Sequence, residues 1–335
     1  MGGIGKMSLT VDIVMPWVDG ADPVWLEEKQ KYNPNDGEDA NINRYRDWGL
    51  LKFWFRSVEK YAPWVNKIHF ITYGHLPVWL NTENPKLHIV KHEDYIPREF
   101  LPVFSSHPIE LNMNKIDGLA ERFIYSNDDL FFLNNTLPND FFIDGKPVDL
   151  AAEAPFCFFE GGIDHIVGND IAVLNKHFNK REVIKRNRKL WFSLSAPRTA
   201  LKNLYMLPVK AFSAFANPHI MQPFLKSTLE EVWNEEEELL RRTSSHKFRS
   251  HEDVNSWLFR YWQYAKGDFV QSGKVKGMFF SIGKDDAAIR EAILENKYKT
   301  ICISDDLADI DFEKEQEFLI GLFQTVFPDK CSFEK

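Results

Sequence analysis

The chain has 335 residues, 44% hydrophobic and 27% charged, enough to bury a sizeable core without disulfides or metals to staple it. With 41 basic and 49 acidic side chains its net charge is −8, which lacks the overall basic character of a non-specific nucleic-acid binder. Three scattered cysteines, Cys157, Cys302 and Cys331, form no CxxC pair, so they argue against a zinc knot or a thioredoxin-like motif and fit a reducing compartment.

Asp12 interrupts the N-terminal apolar run, and no window of about 18 apolar residues follows. Neither a signal peptide nor a membrane span is expected. The expected location is the cytoplasm, with a peripheral position at the inner membrane face left open. Val11–Val18 is β-rich and ends at Asp19-Gly20, a turn signal. Asn33–Asn43 is polar and reads as a loop. Arg44–Tyr61 places Trp48, Leu51, Phe55 and Val58 near one helical face and stops at Ala62-Pro63. Lys67–Tyr73 and Leu87–Lys91 read as strands, which makes the order strand, helix, strand, strand and suggests an α/β sheet.

Arg122–Leu133 (RFIYSNDDLFFL) is an apolar run interrupted by Asn127-Asp128-Asp129, and two adjacent acids are costly to bury without partners. Beyond Gly168 basic segments such as Lys180–Lys189 precede helices. Thr228 and Glu231 have capping-box spacing, and Glu235–Glu238 reads as a solvated helix face. Ser250–Ala265 is expected to be helical, with Val254, Trp257, Leu258 and Tyr261 on one side. Lys299–Ile303 reads as a strand ending at Ser304-Asp305-Asp306, and Glu313–Phe327 as a closing helix stopped by Pro328.

Three acidic positions stand at strand ends: Asp19, the pair Asp128-Asp129, and Asp305. Acids there suit Mg²⁺ or Mn²⁺, since hard cations take oxygen ligands and hold substrate phosphates. On pattern alone each is equally at home in a turn, where Asp bonds its own backbone. Arg249, in His246-Lys247-Phe248-Arg249-Ser250-His251, offers a planar clamp for an anion before an expected helix N-terminus, or sits in a solvated loop. His219, after Asn217-Pro218, is a candidate base, although a lone histidine is more often structural. GxxxxGK[ST], strand-following GxGxxG, HExxH and GxSxG are all missing, which argues against those nucleotide-binding, metallopeptidase and hydrolase designs.

Together these residues resemble the Stealth family of sugar-phosphate transferases. The first block is Ile13–Pro23 (IVMPWVDGADP). The second runs from Arg44-Tyr45-Arg46-Asp47 through Arg56–Trp64, Leu101-Pro102 and Ile109-Glu110 to Gly118–Asp129. The third spans Pro218-His219 to Phe248-Arg249-Ser250 and Asp253. The fourth is Ile301–Asp305, followed by an ending, Phe327-Pro328 to Lys335, that also fits. Two departures stand out: Ser304 where the family usually has Asn, and Phe104-Ser105-Ser106 where it often has Phe-Asn-Ser. They weaken a role for Ser304 and Ser105 but not for Asp305.

The resemblance implies transfer of a hexose- or N-acetylhexosamine-1-phosphate from a nucleotide diphosphate sugar, with UDP the expected carrier, to a glycan hydroxyl. The product is a phosphodiester in capsule or surface polysaccharide, and a nucleoside monophosphate leaves. It implies a metal held by Asp128, Asp129 and Asp305, with His219 taking the acceptor proton. Arg249, Asp128 and Asp19 would serve the transferring phosphoryl group. Trp17, Arg46, Glu110 and Asn127 would bind substrate, Arg46 as a second phosphate contact or a helix buttress. The expected acceptor is a lipid-linked glycan at the membrane. The implied fold is α/β: a Rossmann-like or GT-A-like nucleotide-sugar core over residues 8–166, a helical cleft-closing segment over 167–266, and a return to the core over 267–335. A metal-dependent glycosyltransferase releasing nucleoside diphosphate, or a non-catalytic carbohydrate-binding protein, are the alternatives.

Overall fold

Alternating apolar strands build a central sheet that the chain winds around on both faces. The computed structural model describes residues 9–33, 45–159, 164–273, 277–307 and 310–335. Strands β1 (Asp12–Pro16), β2 (Ile68–Thr72), β3 (Leu87–Lys91), β4 (Arg122–Tyr125), β5 (Leu130–Phe132), β6 (Gln222–Leu225), β7 (Gly277–Ser281) and β8 (Thr300–Ser304) carry the architecture. The main sheet has the order β6-β4-β1-β2-β3, parallel except for β6. A second sheet, β7-β8-β5, has β7 parallel and β5 antiparallel to β8.

The central strands β1, β2 and β4 are buried on both faces because their side chains alternate between two cores. Ile13, Met15, Phe70 and Ile124 point into one, packed by helices Leu51–Tyr61, Asp286–Leu294 and Phe312–Val326. Val14, Ile71, Phe123 and Tyr125 point into the other, packed by helices Lys226–Glu235, Glu237–Ser245 and Trp257–Lys266. The middle of the chain therefore shares the main sheet's core and supplies its edge strand β6.

Buried acids and bases fix the frame. Asp12, fully buried at the start of β1, accepts from Asn66 Nδ2 (2.8 Å), Lys67 N–H (3.1 Å), His69 Nε2 (3.0 Å) and Ala120 N–H (2.9 Å). Burial opposes its ionisation, but these donors hold its carboxyl below the usual range. Arg56 grips Glu334 through both carboxylate oxygens (2.6 and 2.7 Å) and donates to Phe327 O (2.7 Å), which clamps the C-terminal ending onto helix Leu51–Tyr61.

Several local expectations give way. The helix expected over Arg44–Tyr61 begins at Leu51, because Gly49 takes a left-handed φ of 69° and ends any earlier helical turn. Arg44, like most of the loop Asn33–Asn43, lies outside the described residues. Thr228 caps nothing: Leu225 is the N-cap, and Thr228 is buried inside the helix. Glu235–Glu238 is not one solvated face, since Glu236 marks a break between two helices and is buried against His177 and Lys176. The helix expected from Ser250 starts only at Trp257.

Candidate active site

The chain passes from β1 through β2 and β3 on one side, then crosses to β4 on the other. The carboxyl ends of β1 and β4 thus flank the point where strand order reverses, the usual ligand crevice of an open α/β sheet. A cleft of about 470 Å³ opens there, within the range of small-molecule sites. Pro16 and Trp17 line it from β1, Tyr125 and Asn127 from β4, and Ser304 and Asp305 from β8. The middle of the chain adds His219, Gln222, Arg249 and Trp257.

Asn127-Asp128-Asp129 is where the chain leaves the main sheet for the second one. Ser126 N–H still bonds Val14 O (3.0 Å), while Asp129 O already accepts from Ile303 N–H (2.9 Å). The acids therefore stand on the seam between two sheets, their backbone fixed on both sides. Water reaches Asp128, but protein surrounds it within the cleft. That desolvation, with the charge of Asp129 beside it, raises its carboxyl to about 7.

Asp129 faces His219 and Cys302. Its Oδ2 lies 3.7 Å from His219 Nε2 and accepts from the Cys302 thiol at 3.3 Å. Ligand atoms of the three lie within 4.8 Å of one another, a candidate metal-holding group. Desolvation resists a charge on His219, but Asp129 outweighs it and raises the imidazole above its ordinary value. Asn127 Nδ2 lies 3.5 Å from the same ring nitrogen. Burial and the neighbouring acids push the Cys302 thiol far above its usual range, so it stays protonated and donates.

Arg46 Nη1 is 3.6 Å from Asp305 Oδ2. Among the described residues, that Nη1, both Asp305 oxygens and Asp129 Oδ1 are buried without a hydrogen-bond partner. Burial raises the Asp305 carboxyl against the pull of Arg46. Orphaned carboxylate oxygens on a cleft wall fit an oxygen-seeking cation such as Mg²⁺ or Mn²⁺, which uses few protein ligands and completes its shell with phosphate and water. A protonated thiol is a poor ligand for such an ion.

Arg249 lines the cleft with Nη2 3.4 Å from Ser106 Oγ. Its loop is pinned by the fully buried Asp253, which accepts from His107 Nδ1 (2.7 Å), His246 Nδ1 (2.6 Å) and Ser250 N–H (2.9 Å). This clamp explains the late helix start, since residues 246–253 wrap a carboxylate instead of coiling.

Asp19, Glu110 and Trp17 each carry structural contacts of their own. Asp19 is not among the cleft-lining residues: its Oδ1 accepts from Ala21 N–H (2.9 Å) in a turn. Gly20 is required there, because a Cβ would sit 1.9 Å from Tyr45 O. Glu110 lines the cleft but is buried, with Oε2 taken by Ser256 N–H (3.2 Å) and Oγ (2.6 Å). Trp17 is largely buried, stacked on Phe70 (centroids 5.6 Å apart), with one face of the cleft beside it.

Sequence reasoning missed Cys302 as a partner of Asp129, Gln222, whose Oε1 is buried without a partner among the described residues, and the His107–Asp253–His246 clamp. Asp253 carried a signal as part of the third block, Cys302 as part of the fourth and His246 as part of the basic cluster, but none of their pairings did.

Stealth protein conserved region 1 matches residues 10–37 and conserved region 2 matches residues 44–149. The chain is 39% identical over 328 residues to a capsular polysaccharide phosphotransferase, WcwK, of Streptococcus pneumoniae, covering 97% of this chain and 98% of that protein. This chain belongs to the Stealth family. It is also 37% identical to the receptor polysaccharide phosphotransferase WefC of Streptococcus gordonii (97% and 98% covered). Against the exopolysaccharide phosphotransferase cps2G of Lactiplantibacillus plantarum it is 35% identical (97% and 96% covered). Among solved structures, the galactosyltransferase LgtC with donor and acceptor sugar analogs overlaps at a TM-score of 0.39 and 9% identity, covering 92% of this chain and 95% of that one. Among the described residues of this Stealth protein, no helix is long and apolar enough to cross a membrane.

Proposed function

We propose that this Stealth protein is a polysaccharide phosphotransferase that moves a sugar-1-phosphate from a nucleotide diphosphate sugar onto a glycan hydroxyl. The observation that carries the reading is the cleft itself: carboxylates, a histidine and two arginines meet at the sheet's switch point in a chain with full-length phosphotransferase relatives. Phosphoryl transfer needs positioning and charge neutralisation more than covalent help, and these residue types supply both.

In this reading the acceptor oxygen attacks the sugar-side phosphorus. A new P–O bond forms as the bond from that phosphorus to the bridging oxygen breaks, and the nucleoside monophosphate leaves with the electron pair. His219 Nε2 takes the acceptor proton, with Asp129 beside it to stabilise the resulting imidazolium. Arg249 and Arg46 offset charge on the phosphoryl oxygens. Asp128, Asp129 and Asp305 would hold Mg²⁺ or Mn²⁺, which when bound neutralises part of the diphosphate charge. Trp17 and Asn127 would contact the donor. UDP as carrier, a lipid-linked glycan as acceptor and a peripheral place at the inner membrane face complete the proposal.

The leaving group tests it. Purified protein is incubated with UDP- and CDP-sugars, Mg²⁺ or Mn²⁺ and a polysaccharide acceptor, and nucleotide products are separated. Metal-dependent release of monophosphate, lost in Asp128→Asn, supports the reading. Release of diphosphate means attack at the sugar carbon and removes it.

A further inference from the structure

Helix Pro197–Met206 is amphipathic in the reverse sense. Its inward stripe is Thr199, Asn203 and Met206, while its outward stripe is apolar: Leu201 is 68% exposed, Leu204 55% and Tyr205 78%. Spacings of three and four residues place those three on one face. Leu194, just before the helix, is 95% exposed, and Leu207 and Val209 extend the exposed apolar surface beyond its end.

A buried polar network holds the helix this way round. Asn203 Nδ2 donates to Ala151 O and Trp191 O (3.0 Å each), and its Oδ1 accepts from Glu153 N–H (2.8 Å). Lys180, buried and paired with Glu153 (2.7 Å), donates to Met206 O (2.7 Å) at the helix C-terminus. Rotating the helix to bury its leucines would strand these groups, so the apolar face is held toward solvent.

The surrounding charge identifies what covers it. Residues 180–210 hold nine Lys and Arg against one acid, Glu182, in a chain whose net charge is −8. Arg198 and Lys202 are exposed on the helix itself, and Lys185, Arg186, Arg188 and Lys189 are exposed on the helices leading into it. An exposed apolar stripe flanked by basic side chains is the signature of a helix lying in the interface of an anionic bilayer.

We infer that helix Pro197–Met206 and its basic flank dock this protein onto an anionic membrane surface. The inference deepens the peripheral-membrane part of the proposed function and does not depend on the transfer chemistry. Its test is flotation of the full chain with vesicles of pure phosphatidylcholine, or with a quarter of it replaced by phosphatidylglycerol. The wild type floats with the anionic vesicles and roughly tenfold less with the neutral ones. The triple variant Leu201→Ala, Leu204→Ala, Tyr205→Ala loses vesicle binding roughly tenfold while its circular dichroism and melting are unchanged. Equal flotation with both vesicle types, or undiminished binding by the triple variant, overturns the inference. So does a wild-type dimer in light scattering that the triple variant dissolves, because the face would then bind a second copy. Because the readout is binding, failure here leaves the leaving-group result untouched, and failure there leaves this one standing.

Discussion

Arg46 and Asp305 face each other at 3.6 Å, and among the described residues neither the near guanidinium nitrogen nor either carboxylate oxygen has a hydrogen-bond partner at bonding geometry. A structural ion pair closes to hydrogen-bonding distance; this one is held slightly open on the wall of the cleft. The geometry suits groups that complete their contacts with substrate phosphate or a cation. Arg46→Gln and Asp305→Asn should each lower kcat/KM by about 10–100-fold, and the double variant should lose less than the product of the two. Strictly multiplicative losses would show that the residues act independently.

His219 must be neutral to accept a proton, and Asp129 raises its pKa above the ordinary 6.5. Activity should therefore climb with pH through a value above 6.5, the limb reporting loss of the imidazolium proton. His219→Gln should lower kcat by about 10²–10⁴-fold and flatten that limb, with little change in KM. Steady-state rates across a pH series decide it; a limb that persists in His219→Gln assigns the proton transfer elsewhere.

Asp128 carries a different pH signature. With its carboxyl raised to about 7, a proton competes with a cation for it below neutrality. The apparent affinity for Mn²⁺, titrated on the metal-free protein, should rise between about pH 6 and 8 and level off above. In Asp128→Asn the affinity should fall and that part of its pH dependence vanish. A pH-independent wild-type affinity would exclude Asp128 as a ligand.

The cysteines differ sharply in exposure. Cys157 is exposed, while Cys302 and Cys331 are buried, and burial pushes the Cys331 thiol up to about 12 and Cys302 higher still. A thiol reagent at pH 8 should label Cys157 alone in the native state and all three cysteines after unfolding. Rapid native labelling of Cys302 would mean that the seam beside Asp129 opens.

Strands β1, β2, β3 and β8 were legible because β-branched and aromatic runs bounded by turn residues say where a buried strand lies, to within about two residues. Periodicity does not say which sheet a strand joins. Arg122–Leu133 reads as one stretch, yet β4 and β5 belong to different sheets, and Asp128 and Asp129 matter because they sit on that change. The acids of Asp19 and Asp128-Asp129 looked alike as residues after strands. One closes on its own backbone and the others line the cleft, a difference set by Gly20 packing on Tyr45 and by contacts remote in sequence. Arg249 was legible as a cation near a helix start, whereas the clamp that positions it joins His107 to Asp253 across 146 residues. Nothing local could display it.

That clamp gives a stability prediction with a definite sign. Burial disfavours the Asp253 charge, but His107, His246 and Ser250 N–H all donate to it and hold its carboxyl below the usual range. A carboxyl depressed by folding contributes stability that is fully present above its unfolded pKa, about 3.9, and is lost as pH falls through the folded value. Asp253→Asn keeps the shape but not the charge, leaves the buried His107 and the half-buried His246 poorly paired, and should destabilise the protein by about 2–4 kcal/mol at pH 7. In urea titrations, the stability gap between wild type and Asp253→Asn should narrow only below about pH 4, where the wild type loses its ionised carboxylate. A gap that stays constant down to pH 3 would mean the charge contributes nothing. Since the same carboxylate holds the loop carrying Arg249, the variant should also lose kcat/KM at permissive temperature. Arg249→Lys should lose it too with stability intact, because a point charge cannot replace the planar fork.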